Sequence, residues 1–292
     1  MQRMCELTGV SRASFYRVWE QTEPTAAEMA VRDAIQRACL AHRYYGYRRI
    51  TALLRRQGFM VSPKKIRRLM HQDNLMAVRR RKFVVTTEAG HRFRVHPNLA
   101  ESLEVTDVNQ LWVADLTYLR LEQEFAYLAV VLDAYSRRVI GWALGRSLEV
   151  RLTLDALEQA ITAREPQRGL VHHSDQGVQY VCQSYVDRLE CCGAVLSMSR
   201  PGSPWENGRC ESFINTLKYE ELEARPYRTI EELREHVTEF IDQIYNVKRL
   251  HSALAYRSPI EFEQQHESDR AWRPATLSFS RHEEIYSDAD FH

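Results

Sequence analysis

The sequence predicts an α/β fold in which a mixed five-stranded sheet, flanked by helices, follows a small all-α domain with a helix-turn-helix. Three observations predict it. Residues 1–100 carry 20 Lys and Arg against 7 Asp and Glu, whereas the remaining 192 carry 20 against 32. The apolar pattern is helical up to about residue 82 and becomes extended from Gln110. With 292 residues, 44% of them hydrophobic, the chain can bury one sizeable core and one smaller domain.

Two short helices are predicted in the basic front part. Residues 44–57 (YYGYRRITALLRRQ) place apolar side chains at helical spacing from Ile50, and Gly58 ends this helix. Ser62 and Pro63 then supply an N-cap and a first-turn residue for the next helix. Two helices joined by a tight turn are typical of a helix-turn-helix.

The second of these helices and the segment after it are rich in cations. The predicted DNA contacts are Lys64, Lys65, Arg67, Arg68, Arg79, Arg80, Arg81 and Lys82. A charged helix face is often merely solvated, but the surplus of +13 over residues 1–100 favours contact with a polyanion. Such residues contact mainly phosphates, so they supply affinity and register but little sequence choice.

Short apolar stretches between turn signals predict the sheet. Strands are predicted at 111–119, 127–132 and 138–144, and their meander order makes them antiparallel neighbours. The pattern then predicts a helix at 149–164, a strand ending at 174, a helix at 183–191, a strand at 194–198 and a helix at 207–223. Three antiparallel strands followed by alternating helices and strands is the order of an RNase H-like sheet.

Residues 170–177 (LVHHSDQG) lead from a buried strand straight into a turn that contains Asp175. Asp and Gly are common turn residues, so a plain strand stop is one interpretation. The other is a metal ligand held at the carboxyl end of a sheet. In an RNase H-like sheet, Asp115 lies on the central first strand and Asp175 just past the strand beside it. The third carboxylate then comes from the following helix, where Glu211 is the candidate.

The helix predicted from about residue 207 presents a mixed polar face. At about 100° per residue, Asn207, Glu211 and Lys218 fall within about 40° of one another. This face presents an amide, a carboxylate and a cation together, and Asn207 is a predicted DNA contact. Spacing alone does not establish a site, because 39 of the 292 residues are acidic.

Five blocks of the chain resemble the integrase-type catalytic core of bacterial insertion-sequence transposases, the DDE enzymes akin to retroviral integrases. They are WVADLTYL, VLDAYSRRVIGWAL, LVHHSDQGVQY, SRPGSPWENGRCESFINTLK and YNVKRLHSALAYRSPIEFE. More narrowly, the chain resembles the subunit encoded by the second of two overlapping reading frames, over roughly residues 41–265. The resemblance implies that Asp115, Asp175 and Glu211 are the catalytic, metal-binding triad and that Lys218 contacts DNA.

The resemblance also implies a function and a domain layout. The expected activity is metal-dependent DNA strand cleavage and strand transfer at the ends of an insertion element. The layout is a partial helical DNA-binding segment at 1–22, a basic helix-turn-helix domain at 23–82, a linker at 83–106, the RNase H-like catalytic core with C-terminal helices at 107–266, and a tail, interpreted as disordered, at 267–292. Two alternatives stay open: a catalytically silent DNA-binding regulator of transposition, and an RNase H-like nuclease.

The expected cofactor is a pair of Mg²⁺ or Mn²⁺ ions per site. Carboxylates about 5 Å apart repel by about 3 kcal/mol per pair at an effective dielectric constant of 20, so either one is protonated or cations fill the site. Oxygen ligands select magnesium or manganese over zinc. Two such ions can activate the attacking water or 3′-hydroxyl and stabilise the leaving oxygen.

The expected partners are DNA, both the terminal repeats of the element and the target, and further copies of the chain. Joining two ends implies at least a dimer, and the first-reading-frame product, whose segments are expected to lie outside this chain, is a further candidate. The apolar run Phe125–Leu132 is far shorter than the roughly 20 residues that cross a membrane. The chain opens without a secretory signal, and its six cysteines lack CxxC spacing. The sequence therefore predicts a cytoplasmic, nucleoid-associated protein with reduced thiols.

Several other residues have structural interpretations. Asp133, with Ser136 in the following turn, is predicted to close that turn. His172 and His173 are predicted to pack or hydrogen-bond, one facing inward and one outward along the strand. For Trp205, stacking on an unpaired base and support of its loop both stay open.

Overall fold

The computed structural model describes residues 25–77, 96–200, 203–222 and 227–272. The chain divides into two compact units, residues 1–83 and 84–292. The segment predicted at 1–22, the run Arg79, Arg80, Arg81 and Lys82, and residues 83–95 and 273–292 lie outside the described residues. Within the described ranges, no helix has the length and apolar character that a membrane span requires.

The first unit contains three helices: α1 (Ala26–Ala41), α2 (Tyr47–Arg56) and α3 (Pro63–Gln72). The two predicted helices are confirmed, and Ser62 caps α3 by accepting a hydrogen bond from the Lys65 N–H at 3.2 Å. Helix α1, which the pattern did not single out, supplies Ile35 to a core that also holds Ile50 and Ile66, all fully buried. Three helices are needed because two short amphipathic helices alone cannot enclose these side chains.

The second unit contains the predicted five-stranded sheet. Its strands are β1 (Leu111–Arg120), β2 (Phe125–Asp133), β3 (Val139–Gly145), β4 (Val171–Ser174) and β5 (Val195–Met198). They lie in the order β3-β2-β1-β4-β5. The first three pair antiparallel, and β4 and β5 continue the sheet in parallel with β1. The mixed topology and the central position of β1 are confirmed.

The helices of this unit alternate with the later strands. They are α4 (Val150–Arg164), α5 (Val178–Val181), α6 (Gln183–Cys191), α7 (Gly208–Glu220), α8 (Ile230–Glu239) and α9 (Pro259–Trp272). A 3₁₀ turn at Pro204–Asn207 leads into α7, a π-helical segment at Phe240–Tyr245 continues α8, and a second 3₁₀ turn spans Ser252–Leu254. The predicted boundaries agree with these to within a few residues.

Two apolar layers enclose the sheet, and β1 contributes to both. Val113 packs with Phe213 of α7 on one face, whereas Trp112 packs with Leu157 of α4 on the other. Alternation along a strand puts Asp115 on the same face as Val113. The aspartate therefore faces the side of the sheet that carries α7.

Both ends of the predicted core extend further than expected. The amides of Leu99 and Ala100 donate to Ser197 Oγ at 2.9 and 3.3 Å, so residues from the predicted linker dock on β5. At the other end, α9 continues to Trp272, six residues into the predicted tail. Glu263 anchors this helix through Arg138 and Arg164 at 2.7 and 2.5 Å.

Candidate active site

The register of β1 and β4 sets two aspartates side by side. Leu111 lies opposite Val171 and Val113 opposite His173. Two residues further along this register come Asp115, still within β1, and Asp175, the residue that follows β4. From β1, the chain places β2 and β3 on one side and β4 and β5 on the other. Open α/β sheets bind ligands beyond the strand ends at such a switch point.

Backbone amides hold one oxygen of each aspartate. Asp115 Oδ1 accepts from the Leu116 N–H at 2.8 Å, and Asp175 Oδ1 accepts from the Gly177 N–H at 2.9 Å. A Cβ at residue 177 would lie 3.0 Å from Asp175 Oδ1 and 3.6 Å from a ring carbon of Tyr180. Glycine at this position therefore leaves room for the carboxylate, and Tyr180 lies beside it.

The start of α7, which carries Glu211, is fastened to the part of β1 that precedes Asp115. Asn207 Nδ2 donates to the carbonyl of Ala114 at 2.8 Å, and Cys210 Sγ donates to the carbonyl of Val113 at 3.3 Å. Both side chains are buried. The two bonds fix the first turn of α7 against this part of β1, and Glu211 belongs to that turn.

The charges of Asp175 and Glu211 both act on Asp115. The pKa of Asp115 is raised to about 7, first by burial and then by the charge of Asp175, with a smaller contribution from Glu211. The Leu116 N–H and the charge of Lys218 act in the opposite direction. Burial together with neighbouring negative charge raises the proton affinity of this carboxyl, a combination that is typical of functional sites.

Lys218, two turns after Glu211 on α7, lies beside this group. Burial lowers the pKa of Lys218, and the charge of Asp115 opposes that shift. Its Nζ lies 4.7 Å from the centre of the Tyr118 ring. The predicted position of Lys218 near the carboxylates therefore agrees with the structure, and a contact with DNA stays a prediction.

The structure assigns Asn207 a different role from the predicted DNA contact. Its side chain is 6% exposed, and its amide is turned into β1. The prediction assumed one continuous α-helix from residue 207, but Pro204–Asn207 is a 3₁₀ turn. A 3₁₀ turn has about three residues per turn, so the 100° step that aligned Asn207 with Glu211 does not apply. Asn207 positions α7.

Asp115, Asp175 and Glu211 offer the oxygen donors that a hard divalent cation prefers, but in the described structure they are not gathered closely enough to form a metal site. Three carboxylates supply oxygen ligands, and the raised pKa of Asp115 indicates charge that a cation would neutralise. Across the part of the chain that the structure describes, no three His, Cys, Asp or Glu side chains are arranged closely enough to hold a metal ion. The hydroxyl of Tyr180, which lies beside Asp175, is buried without a hydrogen-bond partner among the described residues. It can therefore still form a hydrogen bond with a bound group.

Neighbouring side chains have structural roles, as predicted for Asp133 and partly for the histidines. Asp133 Oδ1 accepts from the N–H groups of Tyr135 and Ser136 at 2.9 and 3.0 Å, which closes the turn after β2. His172 and His173 both hydrogen-bond, but both are buried, so the expectation that one faces outward is wrong. Both faces of β4 are covered, as is usual for parallel strands.

In the first unit, the predicted DNA contacts divide into two kinds. Lys65 and Arg68 lie 3.8 and 3.7 Å from the Glu28 carboxylate of α1. Lys64 and Arg67 are exposed, and the Arg67 guanidinium lies 5.8 Å from the centre of the Tyr47 ring. Such surface ion pairs are weak, so all four cations stay available to phosphates.

Comparison with known families identifies both units. The family "Integrase core domain" matches residues 105–204, a second integrase core profile matches 193–259, and the family "HTH-like domain" matches 26–83.

Individual relatives match over most of the chain. It is 35% identical over 268 residues to the 31 kDa protein of insertion element IS600 from Shigella sonnei, covering 90% of this chain and 98% of that protein. It is 37% identical over 222 residues to the transposase for insertion sequence element IS904 from Lactococcus lactis, covering 75% and 87%. Among solved structures, the HTLV-2 integrase catalytic core domain aligns with 54% of this chain and 97% of that chain, with a TM-score of 0.41 and 16% identity.

Proposed function

The chain belongs to the insertion-element transposases with an integrase core domain, and we propose that Asp115, Asp175 and Glu211 are the residues with which it cuts and joins DNA. As a member of this family the chain is a polynucleotidyl transferase that binds DNA and depends on a divalent metal. The observation that supports the assignment is the environment of Asp115: its carboxyl is buried, and the charges of Asp175 and, less strongly, Glu211 raise its pKa further.

The proposed cofactor is a pair of Mg²⁺ or Mn²⁺ ions held by these three carboxylates. When bound, the ions neutralise the scissile phosphate and activate the attacking water or 3′-hydroxyl and the leaving oxygen. The protein restrains the ligands: the Leu116 and Gly177 amides each hold one aspartate oxygen. Lys218 adds a positive charge on the same side, where it can contact a phosphate of the bound strand.

The proposed partners are the terminal repeats of the element, the target DNA and at least one further copy of the chain. Two ends must be joined, and each end needs an active site. The first-reading-frame product is a further proposed partner, with the bacterial nucleoid, and hence the cytoplasm, as the place of action. The cations Lys64 and Arg67 of α3 would hold the DNA of the end repeat by its phosphates.

Neutral, nearly isosteric substitutions test the triad. Asp115→Asn, Asp175→Asn and Glu211→Gln should each reduce Mn²⁺-dependent cleavage of an end-repeat duplex at least about a thousandfold, because each removes a charged ligand from the reacting site. Asp155→Asn, which changes a partly exposed acid on α4, is the matched control and should cut normally. The assay scores cleavage and strand transfer on denaturing gels.

The outcomes also separate the alternatives. Normal cutting by any of the three variants would remove that residue from the triad. Binding of the end repeat without cleavage by the wild-type chain would favour the regulator, and cleavage of RNA–DNA hybrids without strand transfer would favour the nuclease.

A further inference from the structure

Two aromatic side chains beside the proposed site are half exposed to solvent. Tyr118 of β1 and Phe125 of β2 are each 50% exposed. Their ring centres lie 5.7 Å apart with an angle of 85° between the planes, an edge-to-face arrangement. The pair therefore presents aromatic surface to solvent near the turn that joins β1 and β2.

The pair is connected to the carboxylates through Lys218. The lysine lies over the Tyr118 ring, with Nζ 4.7 Å from its centre, and also interacts with the charge of Asp115. Tyr118 follows Asp115 by three residues, so it lies about 10 Å further along β1 and its side chain leaves the strand on the opposite face. Lys218 is therefore the link between the two, because it interacts with both the Tyr118 ring and the charge of Asp115. A DNA strand that runs from Asp115 past Lys218 would bring a neighbouring base to the ring.

A purely structural role explains the pair less well. Tyr118 is opposite Tyr127, and Phe125 is opposite Arg120, so the two rings meet diagonally across the β1–β2 hairpin. Cross-strand pairs stabilise a sheet by about 0.2–1 kcal/mol, and they do so by covering each other. Here half of each ring stays uncovered, and a cation lies over one of them. An aromatic face next to a cation is what single-stranded nucleic acid binds, with the base on the ring and the phosphate at the cation.

We propose that Tyr118 and Phe125 form a stacking site for an unpaired nucleobase of the DNA strand whose phosphate lies at Asp115, with Lys218 bridging ring and backbone. The proposal rests on the proposed function, because it takes the scissile phosphate to lie at the three carboxylates. The ligand class is the flat heteroaromatic base of a frayed or single-stranded end. Stacking accepts any base, so the site supplies position and affinity without sequence choice.

The test measures base stacking by a full-length variant that cannot cleave DNA. The Asp175→Asn protein is mixed with end-repeat oligonucleotides that carry 2-aminopurine at successive unpaired positions around the junction. One position should lose fluorescence on binding. Adding Tyr118→Ala should restore that fluorescence and weaken binding about fivefold or more, whereas Tyr118→Phe, which keeps the ring, should behave like the parent.

Controls distinguish stacking from other roles. Trp272→Ala, which removes an exposed aromatic side chain of α9, should change neither fluorescence nor affinity. Undiminished quenching and affinity in both Tyr118→Ala and Phe125→Ala would overturn the proposal and leave a pair that only stabilises the hairpin. A changed oligomeric state in sedimentation, with quenching intact, would likewise overturn it in favour of a protein contact. Cleavage by the wild-type chain is measured separately, so failure of the proposed function leaves the quenching result interpretable.

Discussion

His172 shows how this sheet makes a buried residue sensitive to acid. The side chain is 1% exposed, and its Nε2 lies 3.1 Å from the hydroxyl of Tyr185. Burial, with a smaller contribution from the charge of His173, lowers the pKa of His172 from 6.5 to about 3. The folded protein therefore holds this imidazole neutral at pH values where the unfolded chain binds a proton.

We expect His172 to lower the free energy of unfolding by about 2 kcal/mol on acidification to pH 5, because the unfolded chain protonates this imidazole and the folded protein does not. Asp115, whose pKa is raised to about 7, contributes with the opposite sign over the same range, so the effect of His172 is read from the difference between the wild type and His172→Gln. Urea unfolding at pH 7 and pH 5 measures the change in the free energy of unfolding. His172→Gln, which keeps a neutral polar group, should lose correspondingly less. In the wild type the ring proton resonances of His172 should not titrate between these pH values; titration there would contradict the assignment.

Some functional residues could be predicted from the sequence and others could not. Asp115 and Asp175 were proposed because the strand order predicts an RNase H-like sheet and because the motifs around them resemble those of the transposase family. Tyr180 and Cys210 carried no usable signal, since an unpartnered hydroxyl and a thiol bonded to β1 become visible only when the surrounding side chains are placed. The structural role of Asn207, whose buried amide holds the start of α7 against β1, likewise becomes visible only in the structure.

The contact between β3 and α4 depends on a residue without a side chain. A Cβ on Gly141 would collide with the carbonyl oxygen of Ala156 and would lie 2.8 Å from the amide nitrogen of Ala160. Both are backbone atoms of α4, which cannot move aside as a flexible side chain can. The helix therefore approaches the sheet as closely as it does only because residue 141 is glycine.

Gly141→Ala should destabilise the second unit by about 2 kcal/mol or more, since overpacking forces the helix away from the sheet. The measurement is the midpoint and slope of urea unfolding. Gly208→Ala is the matched control: Gly208 has helical backbone angles, and no atom lies within 4 Å of a Cβ built there. That variant should be neutral or stabilised by up to about 1 kcal/mol. Equal effects of the two substitutions would mean that the β3–α4 contact is not tight.

Most elements were predictable because their apolar periodicity is strong. The strands β1 to β3 and the helices α2 and α3 lie close to their predicted positions. The last turns of α9 were missed for a physical reason: only Pro259 and Glu263 of this helix are buried. Polar contacts hold its later part, with His266 and Arg270 bonded to Asp107 at 2.8 and 2.7 Å. Such contacts leave no periodic trace in a sequence.

The distribution of charge indicates different roles for the two parts of the chain. Residues 1–100 have a surplus of 13 positive charges, and the remainder has a surplus of 12 negative charges. Counterion release makes DNA affinity depend on salt in proportion to the number of phosphates neutralised. The exposed cations of α3 should therefore set most of this dependence, and the acidic core should contribute the chemistry while neutralising few phosphates.

Removing the exposed charges Lys64 and Arg67 by Ala substitution should lower the slope of log K against log salt by about 2, near 0.9 for each phosphate that is no longer neutralised. The affinity should fall equally for end-repeat and unrelated duplexes, because cations that bind phosphates carry no sequence information. Arg151→Ala with Arg168→Ala removes two exposed charges from the second unit and should leave the slope unchanged. Fluorescence anisotropy titrations of the full chain between 50 and 300 mM salt, roughly the range over which such slopes are linear, measure both. Equal slopes for the two double variants would show that DNA is held without preference for the basic unit, and the helix-turn-helix would lose its proposed role.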